Sequence, residues 1–62
     1  MPDLTPRQRD VMNLAARGEP NKAIARELDI PAGAVKHDLA AVYRKLGVRN
    51  RTQAAIVWNG RE

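Results

Sequence analysis

The residues best placed to do chemistry lie in one run, AVKHDLAAVYRKL, residues 34–46. Val35, Leu39, Val42 and Leu46 recur at i, i+4, i+7 and i+11. At about 100° per residue this spacing makes one narrow apolar stripe along a helix. The opposite face carries Gly33, His37, Ala40, Ala41 and Arg44, with Lys36 on its flank. A solvated helix face normally holds long, flexible charged side chains. This one is nearly bare at its centre and has cations around it, as expected of a face that something large approaches closely.

Covalent and metal chemistry have little to work with. The chain has no Ser, no Cys and one His, so a nucleophile–base pair could be built only through Thr or Lys. No glycine-rich phosphate loop appears, and one histidine alone does not make a zinc site. The residues argue against an enzyme, a metal site or a cofactor, and no small-molecule ligand is expected in this domain. No apolar run approaches the roughly 20 residues of a membrane span, and no signal peptide is visible. The expected location is the cytoplasm, with no membrane partner.

Charge placement points to an anionic partner. Residues 1–31 hold five cations and five anions, 5 − 5 = 0. Residues 32–62 hold six cations and two anions, 6 − 2 = +4, which is the whole net charge. The excess lies in the half that contains the bare helix.

The elements that must position this helix can be placed from local signals. Sixty-two residues make a single domain, here 1–62, with a small core and no disulfide to support it. A first helix, about 6–17, opens at Thr5-Pro6-Arg7-Gln8, where Thr5 can cap, Pro6 suits the first position and Gln8 can close a capping box. Val11, Leu14 and Ala15 supply its inner face, with Met12 at the edge, and Gly18 ends it. A second helix covers about 21–28, with Ile24, Ala25 and Leu28 inward and Asn21 a candidate cap. A third covers about 32–46 and stops at Gly47; a fourth covers about 51–58, opens on a second capping-box pattern at Asn50–Gln53 and ends at Asn59-Gly60. Strand signals are absent, so the fold class is all-α: a four-helix, bundle-like domain.

The second and third helices are separated by a turn of about three residues, the signature of a helix-turn-helix. Small Ala25 allows the two helices to approach. Asp29 sits in the turn where a left-handed residue is needed, and Ile24, Leu28, Ile30 and Val35 fall at the apolar positions of such a unit.

The pieces LTPR, NKAIA, VK, RKLGVRNR and QA, at mutually correct spacing from about Leu4 to Trp58, resemble the LuxR/FixJ-type DNA-binding domain. That domain forms the C-terminal part of many bacterial response regulators and quorum-sensing regulators. The resemblance implies that the third helix is a recognition helix entering the major groove of double-stranded DNA. It implies that Lys36, His37 and Ala40 face base edges, and that Asn21, Lys22, Arg44 and Lys45 lie near phosphates. It also implies a homodimer through the fourth helix, at least on DNA, with RNA polymerase a further candidate partner. On that helix Trp58 is either a core lid or part of a dimer patch with Ala55 or Val57.

The bare face makes physical sense on this reading. A groove about 12 Å wide admits a helix whose backbone can come close, and Gly33, Ala40 and Ala41 permit that. Lys36 can donate to guanine O6 and N7, alanine can touch a thymine methyl, and the flanking cations neutralise phosphates.

Three departures from the family pattern stand out. Gln8 replaces the usual Glu. Pro20, Pro31 and Ala34 stand where Ser or Thr is favoured, removing hydroxyls that cap helices and bind phosphate. Asp38 occupies a position where His is usual, and an anion there opposes phosphate binding unless Arg or Lys neutralises it. These departures motivate a rival: a protein-interaction module that kept the fold and lost specific DNA binding.

Overall fold

The computed structural model describes residues 3–60, so Arg61 and Glu62, counted in the basic half, lie outside the described residues. Helices α1 (Pro6–Ala16), α2 (Asn21–Leu28), α3 (Ala32–Leu46) and α4 (Arg51–Gly60) follow one another, with no strand among the described residues. The expected all-α class and all four helices are present. The one boundary that moves by two residues is the end of α4, which runs through Asn59 and Gly60.

The helix starts divide into two kinds. Thr5 Oγ1 accepts from the Gln8 N–H and Gln8 Oε1 from the Thr5 N–H, both at 3.1 Å, which is the expected capping box. At α4 the Asn50 side chain accepts from the Gln53 N–H, while Gln53 reaches past the cap to the Arg49 N–H, each at 2.9 Å. By contrast α2 and α3 start on Pro20 and Pro31, with no side-chain cap. Asn21 is therefore the first helical residue of α2 and does not cap it.

The first three helices end alike. Gly18 (φ +89°), Asp29 (φ +56°) and Gly47 (φ +72°) adopt the left-handed conformation. The next residue, Glu19, Ile30 or Val48, donates back to the carbonyl of Leu14, Ala25 or Tyr43. This six-to-one bond satisfies a carbonyl left open by the helix end and turns the chain sharply. At Asp29 it sets α3 against α2 after a minimal turn, as a helix-turn-helix requires.

The core draws on all four helices: Val11, Met12, Leu14 and Ala15 of α1, Ile24 and Ala25 of α2, Val35, Leu39 and Val42 of α3, and Ala54 and Trp58 of α4. Helix α1 packs against each of the other three. Two expected placements are corrected. Met12 is fully buried, not at the edge, because α1 has neighbours on several sides. Ala41 is 8% exposed and belongs to the packed side of α3, not to its bare face.

Candidate nucleic-acid interface

Without Ala41, the exposed stripe of α3 is Gly33, Lys36, His37, Ala40 and Arg44, all solvent-accessible. They recur at i, i+3, i+4, i+7 and i+11, so they share one side of the helix. The opposite side, built on Val35, Leu39 and Val42, is buried. The core therefore fixes α3 in rotation and leaves outward a strip with a glycine and an alanine along its middle and cations beside them. A Cβ built at Gly33 meets nothing within 4 Å, so this glycine answers to no constraint inside the molecule. Among the described residues, Lys22, Lys36 and Arg44 have no carboxylate partner and keep their donors for an outside acceptor.

Lys45 stands differently. Its Nζ donates at 2.9 Å both to the Asp3 carbonyl and to Gln8 Oε1, tying the end of α3 to the start of α1. The ammonium is exposed but already engaged, with one of its three N–H donors left over.

Asn21, half-buried at the start of α2, accepts at Oδ1 from Nη2 of Arg51. Nη1 of Arg51 donates to the Glu19 carbonyl at 2.6 Å. Arg51 thus binds the α1–α2 loop to α4. With Oδ1 occupied, the amide nitrogen of Asn21 is the part free to donate to an acceptor such as a phosphate. Lys22 beside it is exposed.

Of the two cases the sequence left open, Asp38 is the neutralised anion. It is 4% exposed and turned into the protein. Arg7 holds it with a two-pronged bridge, Nε to Oδ2 at 2.6 Å and Nη2 to Oδ1 at 3.1 Å. The side-chain hydrogen bond and the charge of Asp38 both raise the pKa of Arg7 above its ordinary value, so the guanidinium stays charged throughout the range of protein chemistry. His37 Nδ1 lies 3.8 Å from the same Oδ1.

On α4, Trp58 is 4% exposed, and its indole N–H donates to Asn13 Oδ1 of α1 at 2.8 Å. It is the core lid of the two alternatives, and a buried indole needs the partner it has found. Ala55 and Val57 are half-buried, and the large apolar side chain left outside is Ile56, 68% exposed. Sequence reasoning missed Ile56, although the signal was present. Once Ala54 and Trp58 face inward at i and i+4, position 56 points the opposite way.

A recess of about 210 Å³ between α1 and α2, lined by Asp10, Asn13, Leu14, Arg17, Glu27 and Leu28, is below the usual size of a small-molecule pocket. The described residues include no group of three acidic, His or Cys side chains arranged for a metal ion. No helix of the described residues is long and apolar enough to cross a membrane.

Residues 2–58 match the family described as bacterial regulatory proteins, luxR family. The chain is 50% identical over 56 residues to YhjB of Escherichia coli K12, a protein named as a putative HTH-type transcriptional regulator; this covers 90% of the chain and 28% of YhjB. It is 46% identical over 53 residues to the nitrate/nitrite response regulator protein NarL of the same strain, covering 86% of the chain and 24% of NarL. It is 41% identical over 51 residues to the transcriptional regulatory protein DesR of Bacillus subtilis, covering 82% and 26%. The chain spans about a quarter of the length of these relatives. A family match over nearly the whole chain, carried on a helix-turn-helix whose second helix leaves a bare cationic strip outward, leads to one conclusion: the chain belongs to the luxR family of bacterial regulatory proteins.

Proposed function

We propose that this chain is a sequence-specific reader of double-stranded DNA in bacterial transcription regulation, with α3 as the recognition helix in the major groove. The observation that carries the reading is the outward strip of α3. It is a surface with no work to do inside the protein, shaped for close approach and supplied with unpaired cations. Lys36 and His37 read base edges, and Ala40 gives the groove wall an apolar contact. Arg44, Lys22, the amide nitrogen of Asn21 and the spare donor of Lys45 take backbone phosphates and set the register. The relatives named as transcription regulators favour the same reading, and the proposal adds RNA polymerase as a candidate partner and the cytoplasm as the location.

Pairing of two copies belongs to the same proposal. The exposed Ile56, flanked by Ala55 and Val57, is the apolar point around which two α4 helices meet on DNA. Trp58, committed to the core, takes no part.

Selection of binding sites from a random duplex pool tests the reading. The expected result is a two-fold repeat with half-sites about one helical turn apart. A single enriched half-site keeps the reading helix and removes the pairing. No enrichment of any sequence overturns the proposal in favour of a protein-interaction module on the same fold.

A further inference from the structure

The bridge between Arg7 and Asp38 joins the second residue of α1 to the middle of α3, 31 positions away. Its two ends are unlike. The Asp38 side chain is 6% exposed and that of Arg7 is 51% exposed. The carboxylate is therefore inside the protein, while the guanidinium stands at its surface. A guanidinium has five N–H donors. Two are used on Asp38, so 5 − 2 = 3 have no acceptor among the described residues.

The place where this guanidinium is held matters. At about 100° per residue, Asp38, Ala41 and Lys45 form the flank of α3 that adjoins His37 and Arg44 of the outward strip. Asp38 Oδ1, which accepts from Arg7, is also the atom 3.8 Å from His37 Nδ1. Arg7 is thus one carboxylate away from a residue of the reading face. A long arginine normally loses conformational freedom when it grips a ligand. Here a two-point bridge has already fixed the planar fork, so less is lost on binding.

We propose that Arg7 is a DNA phosphate-binding residue, and that the buried Asp38 is the positioning residue that holds its guanidinium beside the reading face. The inference rests on the DNA-reading proposal and adds α1 to the elements that grip the backbone. It also gives Asp38 a part in the interface. The carboxylate holds a cation at the edge of the groove, and that cation cancels the repulsion the carboxylate would otherwise exert on phosphate.

The test exchanges the pair without changing net charge. In Arg7→Gln/Asp38→Asn one cation and one anion disappear together, so the chain keeps its net charge of +4. General attraction to DNA is preserved, and only the local grip on phosphate is removed. Binding of a short fluorescent duplex of mixed sequence is measured by anisotropy at several salt concentrations, with circular dichroism to establish folding. Each neutralised phosphate contributes about 0.9 to the slope of log K against log salt. The expected result is a slope shallower by about 0.9 than that of the unaltered chain. An apolar pair, Arg7→Met/Asp38→Met, removes the same two charges and provides a second route to a folded protein, since it leaves no unpaired charge at the buried Asp38 position. It should show the same change in slope. An unchanged slope in the folded variants, beside a steep slope for the unaltered chain, overturns the role of Arg7 and leaves the DNA-reading proposal standing. A failure of the unaltered chain to bind duplex at all overturns both.

Discussion

The two helices that hold this domain together and the two that form its helix-turn-helix begin in opposite ways. Helices α1 and α4 close their first turns with side chains, Thr5 with Gln8 and Asn50 with Gln53. Helices α2 and α3 start on Pro20 and Pro31, whose rings accept nothing from the open amides. The first turn of any helix leaves N–H groups that need an acceptor, and its end carries partial positive charge. In α1 and α4 the protein supplies that acceptor. In α2 and α3 it leaves the demand to the surroundings, beside the exposed cations Lys22 and Lys36. The contrast teaches that the protein closes two of its helix starts with its own side chains and leaves open the starts of the two helices proposed to approach DNA, although all four contribute to the core. Substitutions should therefore separate into those that unfold the protein and those that blind it.

The largest effect is expected on the stabilising side. Trp58→Ala removes the side chain that closes the core over α1 and leaves Asn13 without its donor. Such a truncation costs about 3–5 kcal/mol, a large share of the stability of a small domain. Urea unfolding measures it. A cost below about 1 kcal/mol would mean that Trp58 does not lie in the core and would return it to the surface patch.

The next effect belongs to the reading side. Lys36→Ala with His37→Ala should leave unfolding by urea unchanged within about 0.5 kcal/mol, the usual range for exposed positions. It should weaken binding to a selected site by about 1–3 kcal/mol for each base no longer read, and flatten base preference. Titration of selected and scrambled duplexes checks this. Equal weakening on both duplexes would confine Lys36 and His37 to phosphates and move base reading elsewhere on the strip.

Much of this division is legible in the sequence, because most of it is local. The capping box at Thr5, the cap at Asn50, the left-handed residue at Asp29 and the stripes at i, i+4 and i+7 each depend on a few neighbouring residues. What escapes is what depends on packing between distant segments. Met12 reads as an edge residue until α1 is known to have neighbours on several sides. Ala41 reads as part of the bare face because a wheel of α3 alone cannot show how far the packed side extends. What neutralises Asp38 is not legible, because its partner, Arg7, is 31 positions away and carries no periodic signal. Arg51 is missed for the same reason, bonding to the Glu19 carbonyl 32 positions back. The absence of the usual His at position 38 hints that some cation compensates, but not which one.

The smallest effects bear directly on the caps. Thr5→Ala removes a side-chain acceptor from the start of α1 and should cost about 1 kcal/mol, the usual value of an N-cap. Pro31→Ser offers the start of α3 the acceptor it lacks, which taken alone predicts a comparable gain. The backbone geometry lowers that expectation. Pro31 holds φ −63° and ψ 148°, the extended conformation that an N-cap residue needs, and its ring keeps the unfolded chain from wandering far from that φ. Replacing it gives up about 0.4–1 kcal/mol of that restriction while adding a cap of similar size. The expected net change in urea unfolding is therefore under about 0.5 kcal/mol, smaller than the cost at Thr5. A gain of 1 kcal/mol or more would show that Pro31 contributes nothing by its rigidity. The open start of α3 would then be a plain sacrifice of stability on the reading side, and the contrast between the two helix pairs would be sharper than the backbone geometry suggests.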